Sequence, residues 1–147
     1  MRTAILFLSL LLVGCGLLTD RSNINYITKI TRISLPDDVR IISEYDNGEF
    51  MMVGKYQLPK KEIERFIVGK PFKHIDQFFT IVSRIFSIVG KEYRIPLDDS
   101  THLSYFTGCK PGNDWSFIIN DSTGELWVKV GYPDWGGLGP GCDTTKK

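Results

Sequence analysis

The side chains able to do chemistry are few and scattered. The chain of 147 residues contains three cysteines (Cys15, Cys109 and Cys142) and two histidines (His74 and His102). A thiolate can attack a substrate, bind a soft metal or pair with a second sulfur. Neither Cys109 nor Cys142 has a Cys or His within four residues, so the spacing of a metal site is missing. A thiol nucleophile would want an imidazole base, which His74 or His102 could supply only by tertiary approach. Asp98 and Asp99 adjoin Ser100, Thr101 and His102 and could be drawn as a hydrolase or metal cluster. Adjacent acids on a loop point apart more often than together, and a solvated turn is the plainer reading. Gly136, Gly137, Gly139 and Gly141 invite comparison with a phosphate loop, but Cys142-Asp143-Thr144 follows where Lys-Ser/Thr and a helix would be needed. A surface loop fits better. No Gly-x-Ser-x-Gly, His-Glu-x-x-His or Cys-x-x-Cys occurs. These residues point to no catalytic site, no metal and no cofactor.

Cys15 is different, because its surroundings define its chemistry. Arg2 and the free amine supply a short positive start, and Ala4 to Val13 form an apolar run broken only by Ser9. Ten helical residues span about 15 Å, half of a hydrocarbon core of about 30 Å, so the run reads as a secretory signal and not as a membrane span. It ends in Leu12-Val13-Gly14-Cys15. That sequence resembles the lipobox of bacterial lipoproteins: an aliphatic residue, a small or β-branched one, Gly or Ala, then Cys. The resemblance covers the first fifteen residues. It implies that the Cys15 thiol is alkylated by a diacylglyceryl group, that residues 1–14 are removed, and that the new amine is acylated. A thiol suits this role because a hydroxyl is a much poorer nucleophile at neutral pH. Each buried methylene contributes about 0.8 kcal/mol, so two or three acyl chains hold a protein on a bilayer stably. Gly16, where an Asp would favour inner-membrane retention, implies transfer to the outer membrane, facing the periplasm. The competing reading is an ordinary secreted protein with a chance cysteine near its cleavage point.

Acylation of Cys15 would leave an even pair, Cys109 and Cys142, in a compartment that permits disulfides. The expectation is that they pair, with metal binding and a reactive thiol as the other uses. The enclosed loop of about 34 residues would contribute roughly 3–4 kcal/mol on the chain-entropy model.

Composition agrees with one globular domain. Hydrophobic residues make up 42% of the chain, charged residues 24% and aromatic residues 12%, which excludes wholesale disorder and low-complexity scaffolds. Eighteen Lys and Arg against seventeen Asp and Glu give a formal charge of +1. Loss of residues 1–14 would remove Arg2 alone and leave the domain neutral. Basic residues are interspersed with acids along the chain, so nucleic acid is not an expected partner. The organisation expected is a signal peptide over 1–14, a lipidated cysteine and tether over 15–25, and a globular envelope domain over 26–147.

Periodicity supplies the elements. Tyr26 to Ile33 reads as a strand, although Ile27, Ile30 and Ile33 also fit a helix. Asn47-Gly48 between two β-prone runs predicts a two-residue hairpin with Asp46 opposite Glu49. That register aligns Val39, Ile41, Ser43, Tyr45, Phe50, Met52 and Tyr56 on one face. Pro59 suits the first turn of a helix over 60–68, with Gly69 as its stop. Ile75, Phe78, Phe79, Val82, Ile85, Phe86 and Val89 recur at steps of three and four, with Asp76 as a cap and Gly90 as a terminator; a strand remains open there because of the β-branched content. His102–Thr107, Trp115–Asn120 and Glu125–Tyr132 read as strands. Lys110-Pro111-Gly112-Asn113 forms one turn between them and Asp121-Ser122-Thr123-Gly124 a type I turn. The fold expected is α+β, an antiparallel sheet of about six strands with two helices packed on one face.

One aromatic cluster remains as a candidate contact surface: Trp127, Tyr132, Asp134 and Trp135, beside Pro133. Aromatic anchors near Gly and Pro bury much area at low entropic cost. Trp127 and Trp135 could equally be core. The function expected is therefore a membrane-anchored, non-catalytic binding, accessory or inhibitor (immunity-type) protein of the bacterial envelope. Its partners would be the bilayer, through acylated Cys15, and an envelope protein. The alternatives are an envelope hydrolase whose site is dispersed in sequence and a carrier of an apolar ligand.

Overall fold

A computed structural model describes residues 21–76, 79–98 and 100–132. In chain order the elements are α1 (Ser22–Thr31), β1 (Arg40–Asp46), β2 (Met51–Gln57), α2 (Lys60–Ile67), β3 (Lys73–His74), α3 (Phe79–Val89), β4 (Leu103–Lys110), β5 (Asn113–Asn120) and β6 (Glu125–Gly131). Short 3-10 turns occupy Lys91–Tyr93 and Ser100–His102. The six strands form one antiparallel sheet in the order β1-β2-β6-β5-β4-β3, so the chain has the expected α+β class.

The β5–β6 hairpin follows its turn chemistry. Ile119 pairs with Leu126, Phe117 with Val128, Trp115 with Val130 and Ile118 with Trp127, the register that alternation predicts. Gly124 closes the turn at φ 80, a conformation that favours glycine, and its N–H reaches Asn120 O at 2.8 Å. The Asn120 side chain accepts from the Ser122 and Thr123 amides and from the Ser122 hydroxyl, fixing the loop from inside.

The β1–β2 hairpin departs from the expected register. Asp46 pairs with Met52 and not with Glu49, which leaves the four residues 47–50 between the strands. Asn47 does make the turn, but with its side chain: Oδ1 accepts the amides of Glu49, Phe50 and Met51. A side-chain turn of this kind competes with the two-residue loop. A shift of an odd number of residues exchanges faces, so Phe50 and Tyr45 are exposed. A bulge between Ile41 and Ser43 then places Ile41 opposite Tyr56, where the expected register had Val39, on the face that is buried.

The segment read as a strand over 26–33 is the helix α1. Ile24, Ile27 and Ile30 point into the core together, and that burial outweighs the β-propensity of Ile and Thr. Thr28 and Thr31 return their hydroxyls to the carbonyls four residues back, at 3.1 and 2.8 Å. Pro59 sits one position earlier than expected, capping α2 in an extended conformation. Asp76 caps the start of α3, its Oδ1 accepting the Phe79 amide at 3.2 Å.

The sheet is covered on both sides. α1 and α2 share one face with Met52, Tyr56, Phe106, Phe117, Leu126 and Val128. Phe79, Val82 and Phe86 of α3 cover the other, over Val53, Tyr105, Ile118 and Trp127. Two helices do pack on one face, but the partner of α2 there is α1, with α3 opposite. Burial on both faces is why β5 and β6 read as nearly continuous apolar runs.

Candidate functional site

The aromatic cluster at the end of β6 is described only as far as Tyr132, and its Trp127 is not on the surface. Trp127 has no exposed area. It lies on a central strand beneath α3, with Lys55 Nζ 5.1 Å from its ring centroid and Lys55 paired to Glu125 at 2.8 Å. Its indole N–H is buried without a partner. Trp127 is therefore core, and the candidate patch loses it. Tyr132 is half-buried: its ring meets Tyr26 edge-on at 5.2 Å, and its hydroxyl donates to Asp46 Oδ2 at 2.6 Å. Burial, then the Asp46 carboxylate, push its pKa up. Asp134, Trp135, Cys142 and the acylation candidate Cys15 lie outside the described residues. Cys109 is disulfide-bonded, so it is no free nucleophile; its expected pairing with Cys142 remains a proposal.

Within the polar run 98–102, the side-chain partner of His102 among the described residues lies outside the run. Asp98 is exposed, Asp99 is outside the described residues, and His102 turns instead to Asp121. His102 Nδ1 and Asp121 Oδ1 are 2.8 Å apart, and the Asp121 amide donates to His102 O at 2.9 Å. The two residues are nineteen apart, joined only because the β4 start and the β5–β6 turn share one end of the sheet. A carboxylate on one ring nitrogen orients an imidazole as a base. Here, however, the neighbouring Ser122 hydroxyl donates to Asn120 and not to His102. Among the described residues no group of three His, Cys, Asp or Glu could hold a metal ion. His74 is exposed on β3.

The same turn forms one wall of a cleft of about 430 Å³. The other wall is α2 and its C-terminal cap, with Lys60, Ile63, Glu64, Ile67 and Val68 facing Asp121 and Ser122. Ile63, Ile67 and Val68 recur at helical spacing and give an apolar floor; Val68 is 68% exposed. Lys60, Glu64 and Asp121 supply charge at the rim. Both walls are tied together before any ligand arrives. Leu58 N–H donates to Gly124 O at 2.9 Å, and Gln57 Nε2 to Thr123 O at 2.7 Å. Sequence reasoning missed this cleft, because it joins α2 to a turn distant in sequence and neither segment announces it alone.

Other apolar groups are exposed on the opposite end and edge of the sheet: Ile42 and Tyr45 on β1, and Phe50 in the hairpin loop. No helix among the described residues is long and apolar enough to cross a membrane. Compared with protein families, curated proteins and solved structures, the chain has no match in any of the three.

Proposed function

We propose that the protein is a lipid-anchored, non-catalytic binding protein of the bacterial cell envelope, an accessory or inhibitor-type subunit held to a membrane through acylated Cys15. The observation that carries the binding role is the cleft between α2 and the Asp121–Gly124 turn. Its walls are tied by the Leu58–Gly124 backbone hydrogen bond and by the Gln57 side chain on Thr123 O, so a ligand meets a preorganised surface and little ordering entropy is spent on binding. An apolar floor with charges at the rim fits a side chain of a protein partner with polar groups around it. Anchoring raises the effective concentration of the domain near partners in the same thin compartment. Gly16 after the modified cysteine favours the outer membrane, facing the periplasm.

The test is photo-cross-linking in intact cells. Benzoylphenylalanine at Val68 should yield a discrete protein adduct, and the same probe at Ile88 on α3 should not. Glu64→Lys should weaken the Val68 adduct while leaving the near-UV spectrum unchanged. No adduct at Val68, or the same adducts at both positions, removes the proposal.

A further inference from the structure

The start of α1 is fastened beside the edge strand β1. Asn23 Nδ2 donates to Glu44 Oε2 at 3.0 Å, and the Arg21 guanidinium donates to Asp37 O at 2.9 Å, just before β1 begins. Cys15 precedes Arg21 by six residues. Fully extended, six residues reach about 21 Å, close to the roughly 20 Å length of a seven-residue strand. Acyl chains on Cys15 would therefore enter a bilayer within about one strand length of this edge. On the same edge and hairpin are Ile42 and Tyr45, each 42% exposed, and Phe50, 60% exposed. Scattered apolar residues on a surface need no explanation. Three on one strand and its loop, at the side where the described chain begins, do.

We propose that the β1–β2 hairpin lies against the phospholipid interface, with Ile42, Tyr45 and Phe50 as its contacts; this rests on the acylation of Cys15 proposed above. Aromatic rings and aliphatic side chains favour the membrane–water boundary, where one end of the group stays wet. Charge does not drive the contact: Arg21 and Arg40 on this edge are outnumbered by Asp37, Glu44, Asp46 and Glu49. Anionic lipid should therefore add little. The orientation has a consequence for the cleft. β2 runs from the hairpin loop at Met51 to Gln57 beside the Asp121–Gly124 turn, so a hairpin on the membrane holds the cleft away from it.

The full-length protein, made with its signal sequence, would be reconstituted in phosphatidylcholine vesicles containing a diazirine-bearing phosphatidylcholine. After photolysis, peptides covering 40–55 should carry several-fold more lipid adduct than peptides covering 79–90, which contain Ile88, itself 77% exposed. Replacing part of the phosphatidylcholine by phosphatidylglycerol should leave that ratio unchanged. Ile42→Ser with Phe50→Ser, both at exposed positions, should lower it. Equal labelling of the two segments overturns the inference while leaving the anchor standing. An unmodified Cys15 in the same digest overturns the anchor and the inference together.

Discussion

Tyr56 donates a 2.7 Å hydrogen bond to Glu44 across the β1–β2 pair, and the second oxygen of the same carboxylate accepts from Asn23 of α1. One carboxylate thus joins the edge strand to the central sheet and to the helix above it. Burial, then the charge of Glu44, push the Tyr56 pKa far above its ordinary value. A folded-state pKa above the unfolded one means that the associated stability is complete below about pH 10 and is lost as pH rises beyond it. Urea midpoints should therefore be flat from neutral pH to about 9 and fall above about 10. Tyr56→Phe should flatten that alkaline loss and cost about 2 kcal/mol at neutral pH, because Glu44 loses a partner. An alkaline slope equal in the variant and the parent would show that Tyr56 is not its source.

Gly54 is fixed by the same tyrosine. The Tyr56 ring folds back over it, so a Cβ at position 54 would sit 2.3 Å from Tyr56 Oη and 2.4 Å from its ring carbons. Gly54→Ala must then displace a fully buried ring and break the bond to Glu44. The expected cost is about 3 kcal/mol, at the upper end for overpacking. Combining Gly54→Ala with Tyr56→Phe should cost less than the sum of the two, since both act on one contact. Strict additivity in urea titrations would contradict the clash.

How far the sequence could carry the fold depends on what sets each element. Asp121–Gly124 specifies its turn through a local side-chain lock and a glycine, and the alternation of Trp115, Phe117 and Ile119 is unambiguous, so the β5–β6 register was legible, although β5 begins two residues earlier and β6 ends one residue earlier than expected. At Asn47-Gly48 the residues were right and the geometry was not, because Asn47 satisfies three amides with its side chain and lengthens the loop. α1 was hidden because Ile and Thr favour strands locally; only the sheet beneath Ile24, Ile27 and Ile30 selects the helix. Trp127 could not be assigned to core or surface without knowing that α3 crosses its face. The cleft and the His102–Asp121 pair are products of topology, joined across distant segments, and no local pattern announces them.

Cys109 offers a direct test of the envelope compartment. It lies opposite Asp114 in β4–β5, on the sheet beside Thr107 and Ser116, and it is disulfide-bonded. With Cys15 acylated, Cys142 is the remaining cysteine in the sequence. Non-reducing digestion should give one linked peptide pair joining Cys109 to Cys142. Cys109→Ser should lower stability by about 3 kcal/mol on the chain-entropy model, as should reduction of the parent. A digest linking Cys109 to Cys15 would refute the pairing and the acylation at once.

Acylation itself predicts where the protein is found and with what mass. At about 0.8 kcal/mol per buried methylene, a sixteen-carbon chain contributes on the order of 10 kcal/mol, so two chains hold the protein through high-salt and alkaline washing. The exposed Ile42, Tyr45 and Phe50 together bury far less area and cannot retain it alone. Cells fed labelled palmitate should therefore yield labelled protein that begins at Cys15 and stays with the membrane fraction. Cys15→Ser removes the sulfur that the diacylglyceryl group alkylates, so the label should vanish and residues 1–14 should remain attached in the intact mass. The described helices and sheet begin at Ser22, and the folded domain should give the same far-UV spectrum in both proteins. Parent protein without label, or a serine variant cleaved normally and still washed only by detergent, would place the anchor somewhere other than Cys15.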